Sequence, residues 1–251
     1  MKAYVILGSH ACRAALLMLD HKGVDYDVVR LPTGMHPFLL RLRGFKGGVV
    51  RRTAGENRPR ALALADKLGT VPALIDGDRR VETNRAIARY LDETRPDPPL
   101  VPDDPGHREE VEDAERWADE KLQMVARRLG LAAVVHGPDA LVDRARDGRL
   151  GPLLWKRDFM RFQGARFVGS TTFEATREAE PGLLKELPGV LDRVDALVAA
   201  GTLNGPELNV ADFLVAPSLA LIGYRRDLAE EVASRPSWAL VERLLPAPAA
   251  S

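Results

Sequence analysis

The chain has 251 residues, 45% of them hydrophobic and 29% charged, the composition of a folded protein of one large or two modest domains and not of a disordered one. Its 36 basic and 36 acidic residues cancel, so net charge points to neither a nucleic-acid binder nor a membrane-surface protein. A single cysteine excludes an intramolecular disulfide and a cysteine-based zinc cluster, and it suits a reducing, cytoplasmic setting.

Met1-Lys2-Ala3 opens directly into a strand-like segment and not into a leader peptide. Ala3 to Leu7 is an apolar run of strand length, closed by Gly8-Ser9. From His10 the period changes: Cys12, Ala15, Leu16 and Leu19 recur at helical spacing, and Gly23 supplies a stop. Tyr26 to Leu31 is a second strand, so the chain begins β-α-β. Pro32 to Thr70 holds a short helix near 36–43, a Gly-rich break at 44–48 and a second helix near 58–68. This stretch is long for a connection, and from Arg41 to Lys67 it carries eight basic against two acidic residues. The extended insertion at about 41–68 reads as a solvated loop or, more sharply, as an added wall that attracts an anion. Val71 to Ile75 is a strand with a proline near its start, Asp76-Gly77-Asp78 turns it, and Arg80 to Glu82 returns as the second arm of a hairpin. Asn84 is placed to cap a helix whose inner face is Ile87, Tyr90 and Leu91.

Five prolines between Arg95 and His107 mark a linker, taken as 96–107. It divides a first domain, 1–95, from a helical second domain, 108–245, with a short tail at 246–251. Glu109 to Leu131 is one long amphipathic helix on which Trp117, Lys121 and Met124 share a face. Asn209-Val210-Ala211-Asp212 is a helix capping box, Leu208 and Phe213 stand as its hydrophobic staple, and Pro217 should kink the helix that follows. No run approaches the roughly 18 apolar residues of a membrane-spanning helix. The five histidines show no metal-ligand spacing, so no metal, membrane or nucleic acid is expected. The preference for Arg and Ala over Lys is that of a GC-rich bacterial genome.

Three motifs in order carry a family likeness: Ser9-His10-Ala11-Cys12-Arg13 followed by Lys22-Gly23-Val24-Asp25-Tyr26; Thr70-Val71-Pro72-Ala73-Leu74 followed by Val81-Glu82-Thr83-Asn84-Arg85-Ala86-Ile87; and Leu208-Asn209-Val210-Ala211-Asp212-Phe213. Together they resemble the glutathione S-transferase superfamily. The resemblance implies an α/β thioredoxin-like N-terminal domain of order βαβ-α-ββα, followed by an all-α helical-bundle C-terminal domain. It also implies a homodimer, and a site that joins glutathione, or another low-molecular-weight thiol such as mycothiol, to an apolar electrophile.

The resemblance assigns the site residues as well. Ser9 would donate a hydrogen bond to the thiolate at the start of the first helix, where the helix dipole also favours the anion; its plainer role is helix N-cap. Val71, before Pro72 in a cis-proline turn, would pair with the thiol ligand through its backbone. Thr83 and Asn84 stand where relatives carry an acid, which meets the ligand's amino group, and a serine, which meets its carboxylate. Thr83 brings no charge, and Glu82 should point the other way. His10, Trp117, Lys121 and Met124 are candidates for the co-substrate pocket, although His10 and Arg13 also read as ordinary solvent-facing residues. Cys12 reads as a buried small apolar residue or, in a glutaredoxin-like thiol-disulfide transferase, as a thiol forming a mixed disulfide. A non-catalytic binding protein on the same fold is the remaining alternative.

Overall fold

The computed structural model describes residues 1–47, 68–142, 148–150, 169–170 and 173–246. The helix expected near 58–68, most of the insertion and the tail beyond 246 lie outside the described residues. Strand β1 (Lys2–Val5) leads into helix α1 (His10–His21), β2 (Asp27–Arg30) and α2 (His36–Leu42). The hairpin β3 (Ala73–Asp76) and β4 (Arg79–Glu82) then precedes α3 (Asn84–Thr94). Beyond it the named elements are helical: α4 (Pro105–Trp117), a π-helical turn (Ala118–Leu122), α5 (Gln123–His136), a 3-10 turn (Pro138–Ala140), α6 (Glu180–Ala199), α7 (Val210–Ile222), α8 (Ala229–Ala233) and α9 (Trp238–Leu244). A thioredoxin-like sheet layer followed by helices is the expected architecture.

The four strands lie in the order β2-β1-β3-β4, with β1 parallel to β2 and β3 antiparallel to both of its neighbours. Alternation along the strands sorts side chains to the two faces of the sheet. Ala3 and Leu74 join the large core beneath α1 and α3. Tyr4 and Ala73, one residue along, join a smaller cluster with Leu31, Leu40 and Phe45, where the Tyr4 and Phe45 rings meet edge to face at 6.0 Å.

Helix α1 is buried beyond the single stripe its sequence suggests: Ala11, Cys12, Ala14, Ala15, Leu17, Met18 and Leu19 are all buried. It packs on α3 and on α7, shares a core cluster with Ala3 and Leu74 of the sheet, and His21 meets the Phe213 ring at 5.1 Å. The C-terminal end of α1 is fixed by Lys22, whose side chain is fully buried. Its ammonium lies 2.6 Å from Asp92 and donates to the carbonyls of Arg95 at 2.7 Å and Pro96 at 3.2 Å. Asp92 in turn accepts from Leu100 and Val101 N–H at 2.9 and 3.0 Å. These bonds bind the proline-rich stretch back onto the sheet layer. Helix α4 starts at Pro105, inside that stretch, because Asp104 caps it with a 2.9 Å bond from His107 N–H and proline is well suited to the first helical position.

Helix α7 is capped as its sequence suggests. The Asn209 side chain accepts from Ala211 N–H at 3.0 Å, and Asp212 accepts from Asn209 and Asn204 N–H at 3.0 and 2.7 Å. Leu208 and Phe213 sit in the same core cluster, and the helix runs on through Pro217. Asp212 is fully buried. Burial pushes its carboxyl from the ordinary 3.8 up to about 6, outweighing the backbone N–H bonds that pull it down. A folded-state pKa above the unfolded one means the folded protein holds the proton more tightly. The stabilisation is then complete below pH ~4 and is lost as pH rises through ~6, an effect of about 3 kcal/mol. Urea titrations at pH 4, 5, 6 and 7 should show this slope in the wild type and a flatter one in Asp212→Asn, which carries no titrating carboxyl there.

Candidate functional site

The topology gathers three segments at one edge of the sheet. With β1 and β4 both antiparallel to β3, the end of β1, the start of β3 and the end of β4 lie at the same edge. Helices α1 and α3 therefore both start there, about two strand spacings or ~10 Å apart. Val71 and Pro72 lie between them. The Val71–Pro72 bond is cis, and the Pro72 carbonyl accepts from Thr83 N–H at 3.2 Å. Val71 itself lies outside the β3 ladder.

Ser9 is the N-cap of α1: its Oγ accepts from Cys12 N–H at 3.2 Å. Capping uses an oxygen lone pair, so the hydroxyl proton is left to donate elsewhere. The cap and the proposed thiolate donor are therefore compatible uses of one side chain. Cys12 is only 2% exposed.

At the other helix start the structure corrects the sequence reading. Thr83, not Asn84, is the N-cap of α3, and its Oγ1 accepts from Ala86 N–H at 3.3 Å. Thr83 has φ 78° and ψ 149°, an outlying conformation for a β-branched residue, with a cost of order 1–3 kcal/mol. Asn84 is the first residue of the helix, 3% exposed, and its Oδ1 is buried with no hydrogen-bond partner. Glu82 does turn away: Oε1 accepts from Thr70 N–H at 2.8 Å and Oε2 from Gly47 N–H at 3.2 Å. That turn needs glycine at 69, where φ is +147° and an added Cβ would lie 2.8 Å from Leu40 Cβ.

The co-substrate face requires more correction. Trp117, Lys121 and Met124 share a face only if the helix is α throughout, whereas residues 118–122 form a π turn in which Gln123 N–H bonds the Ala118 carbonyl. The wider turn re-phases everything beyond it. Trp117 lies under the Arg193 guanidinium, 4.6 Å from the ring centre, and Lys121 pairs with Glu186. Both therefore face α6, while Met124 is half-buried beyond the turn. His10 is also not solvent-facing: it is 3% exposed. Its pKa lies well below the ordinary value, first from burial and then from Arg127, against a hydrogen bond to the Gln123 backbone. The imidazole is thus neutral at pH 7, and its Nε2 is buried without a partner. Arg13 is half-buried.

His10 and Arg127 mark the helix positions on the α1 side of the interface. Asp119, one turn before Gln123, accepts from Gln123 Nε2 at 3.3 Å, and burial raises its carboxyl pKa against the opposing pull of Arg85 and Arg127. Asp119, Gln123 and Arg127 stand at i, i+4 and i+8, the spacing of one helix face, a signal the sequence does carry. Glu115, fully buried one turn earlier, takes both Arg89 nitrogens at 3.3 and 2.6 Å and lies 3.6 Å from Arg85. Among the described residues no cluster of three or more His, Cys, Asp or Glu side chains is arranged to hold a metal. Chemically, the edge offers two helix N-termini and a spare hydroxyl, an environment that stabilises an anion such as a thiolate.

The strain at Thr83 can be measured apart from any ligand. Thr83→Ala loses the cap and should cost about 1 kcal/mol. Thr83→Gly loses the cap as well but relieves the positive φ, so its thermal midpoint should equal or exceed that of the wild type. A Gly variant less stable than the Ala variant would show that the conformation carries no strain.

The glutathione S-transferase N-terminal domain family matches residues 4–99. Two relatives from Arabidopsis thaliana, glutathione S-transferases Z1 and Z2, are 57% and 29% identical over 104 residues, which is 41% of this chain. The chain spans only 38% of the length of either relative in that match. Among solved structures, a glutathione S-transferase of Ceriporiopsis subvermispora, in complex with glutathione, superposes with a TM-score of 0.60 at 16% identity, covering 99% of both chains. Glutathione S-transferase 1-6 of Anopheles dirus gives 0.56 at 20% identity over 98% of this chain and 90% of its own. A glutathione S-transferase of Rhodospirillum rubrum gives 0.52 at 21% identity over 97% and 91%. These structures share the fold, a sheet layer followed by helices. The three-segment sheet edge thus lies within residues 4–99, the part of the chain that matches the glutathione S-transferase N-terminal domain family.

Proposed function

We propose that the protein binds a low-molecular-weight thiol along this sheet edge and joins it to an apolar electrophile held against the helical part. The observation that carries the reading is Ser9: a cap hydroxyl at the start of a 12-residue helix, with its proton left to donate. A free thiol has a pKa near 8.5 and needs stabilisation as thiolate at neutral pH. The helix N-terminus and one directed donor supply it, and holding the electrophile close supplies the rest. In this reading residues 1–95 hold the thiol, with Val71 pairing to it through its backbone ahead of Pro72, and 108–245 supply the electrophile pocket. Asp119, Gln123 and Arg127 then replace Trp117, Lys121 and Met124 as the helix residues nearest that pocket.

Glutathione is the first thiol to test, because it is bound in the solved structure of the Ceriporiopsis protein. Among the described residues its ammonium would find no free acid at the α3 turn: Thr83 is the cap, and Glu82 is held by Thr70 and Gly47. A charge-assisted hydrogen bond contributes roughly 1.5–3 kcal/mol, so its loss should weaken glutathione about ten- to a hundredfold relative to an acid-bearing site. Calorimetry comparing glutathione with mycothiol tests which thiol the site prefers.

Ser9→Ala should lower the conjugation rate on an activated aryl halide by roughly ten- to a thousandfold. It should also cost about 1 kcal/mol of stability through the lost cap. Ser9→Thr keeps both the cap and the donor and should retain most of the rate. Full activity in Ser9→Ala would remove Ser9 from the chemistry. A homodimer of standard interface size, around 1,600 Å² in total, completes the proposal; a monomeric mass by light scattering at micromolar concentration would contradict it.

A further inference from the structure

The large apolar side chains that stand exposed among the described residues all fall between positions 28 and 42: Val28 at 43%, Met35 at 56%, Phe38 at 54% and Leu42 at 67%. Met35, Phe38 and Leu42 lie at i, i+3 and i+7, so they share the outer face of α2 along about 10 Å of helix. The opposite face is apolar too. Pro37 and Leu40 are buried there, Leu40 in the small cluster around Tyr4 and Phe45. A helix apolar all round is ordinarily covered all round. Single exposed apolar residues need no explanation, whereas a row of them rimmed by polar groups marks an interaction surface.

The rim is basic. From Val28 to Gly47 the chain carries Arg30, Arg41, Arg43 and Lys46 and not one Asp or Glu. Arg30, Arg41 and Lys46 are exposed. Arg41 and Arg43 donate to backbone carbonyls, which leaves their charge uncancelled. Arg80 adds another cation from the hairpin, donating to the Arg43 carbonyl at 2.6 Å. Glu82 is turned inward to Thr70 and Gly47. The zero net charge of the whole chain therefore hides a strongly positive stretch.

Charge and area together choose the occupant. A second copy docked about a two-fold axis would bring the same cations face to face. Partly exposed side chains of this size offer on the order of 100 Å² each, so the row falls well short of the ~800 Å² per partner that a stable protein interface buries. A bilayer surface needs no such area: apolar side chains entering the headgroup boundary add to the attraction of Arg and Lys for anionic lipid. Among the described residues no helix is long and apolar enough to cross a membrane, so the contact is one of lying on the surface. We propose that the outer face of α2 docks on anionic lipid bilayers, with Met35, Phe38 and Leu42 entering the headgroup boundary and Arg41 and its basic neighbours meeting the lipid phosphates.

Co-sedimentation of the full chain with two kinds of vesicle tests this, one of phosphatidylcholine alone and one of phosphatidylcholine mixed equally with phosphatidylglycerol. The wild type should partition at least tenfold more onto the mixed vesicles, an excess lost at about 1 M salt, where charges are screened beyond ~3 Å. Phe38→Ser combined with Leu42→Ser should lower that partitioning roughly ten- to a hundredfold. Arg41→Gln should lower it about fivefold. Equal binding to both vesicles, or to neither, would overturn the proposal. Wild-type partitioning in the double serine variant would overturn it as well, since charge alone would then hold the protein there. If light scattering shows a dimer that the double variant turns into a monomer, the face belongs to a second copy and the lipid proposal falls. Should the double variant lose its fold by circular dichroism, the salt series on the wild type and Arg41→Gln decide. None of these outcomes touches the thiol-binding reading.

Discussion

Helix α1 is the element on which the rest of the structure depends. It is short, yet it is buried against α3 and α7 and shares its core cluster with Ala3 and Leu74 of the sheet. Met18 and Leu19 are fully buried, and each such side chain contributes about 1.5–3 kcal/mol in removing apolar surface from water. Its two ends are held differently. At the C-terminal end, the buried Lys22 ammonium collects Asp92 and two carbonyls of the following stretch. At the N-terminal end a single serine oxygen caps one N–H, and the remaining helix-start groups stay available. The helix is thus anchored where it joins the two parts of the molecule and left open where it can meet a ligand.

The sheet layer was legible in the sequence because its signals are local. Apolar runs of strand length, a proline-led strand and an Asp-Gly-Asp turn each act over a few residues, and the capping box at Asn209 is a four-residue pattern. Ladder pairing then fixed the boundaries to within a residue or two. The site was legible only to the extent that it too is local. Ser9, Val71, Pro72, Thr83 and Asn84 do come together at one sheet edge, although their roles rest on more than placement. Which of Thr83 and Asn84 caps the helix was not readable, because both residue types cap well and the choice depends on a φ of 78° that propensity disfavours for threonine.

The helix stripe was misread for a different reason. Stepping Trp117, Lys121 and Met124 by three and four residues assumes 3.6 residues per turn, and nothing in Ala118–Leu122 announces a π turn. One added residue per turn carries everything after it to a new face. Trp117, ahead of the turn, and Lys121, within it, lie against Arg193 and Glu186, while the Gln123 backbone and Arg127, beyond it, lie beside His10. His10 was misread because burial by a distant helix has no local signature: a histidine at a helix start looks exposed until another helix covers it.

The two helix starts at the sheet edge now show a shared logic. Each carries at its first position a buried polar side chain with an unpartnered acceptor: neutral His10 at α1 and Asn84 at α3. Each is preceded by a hydroxyl residue that caps the helix, Ser9 and Thr83. The backbone N–H groups at both starts favour negative or acceptor groups. In the proposed reading, a ligand lying across about 10 Å of sheet edge would face a helix start at each end. Of the described acids, Glu82 is bonded to Thr70 and Gly47 and Glu115 to Arg89. In the proposed function it is the start of α1, with its dipole and the spare Ser9 proton, that would favour the thiolate.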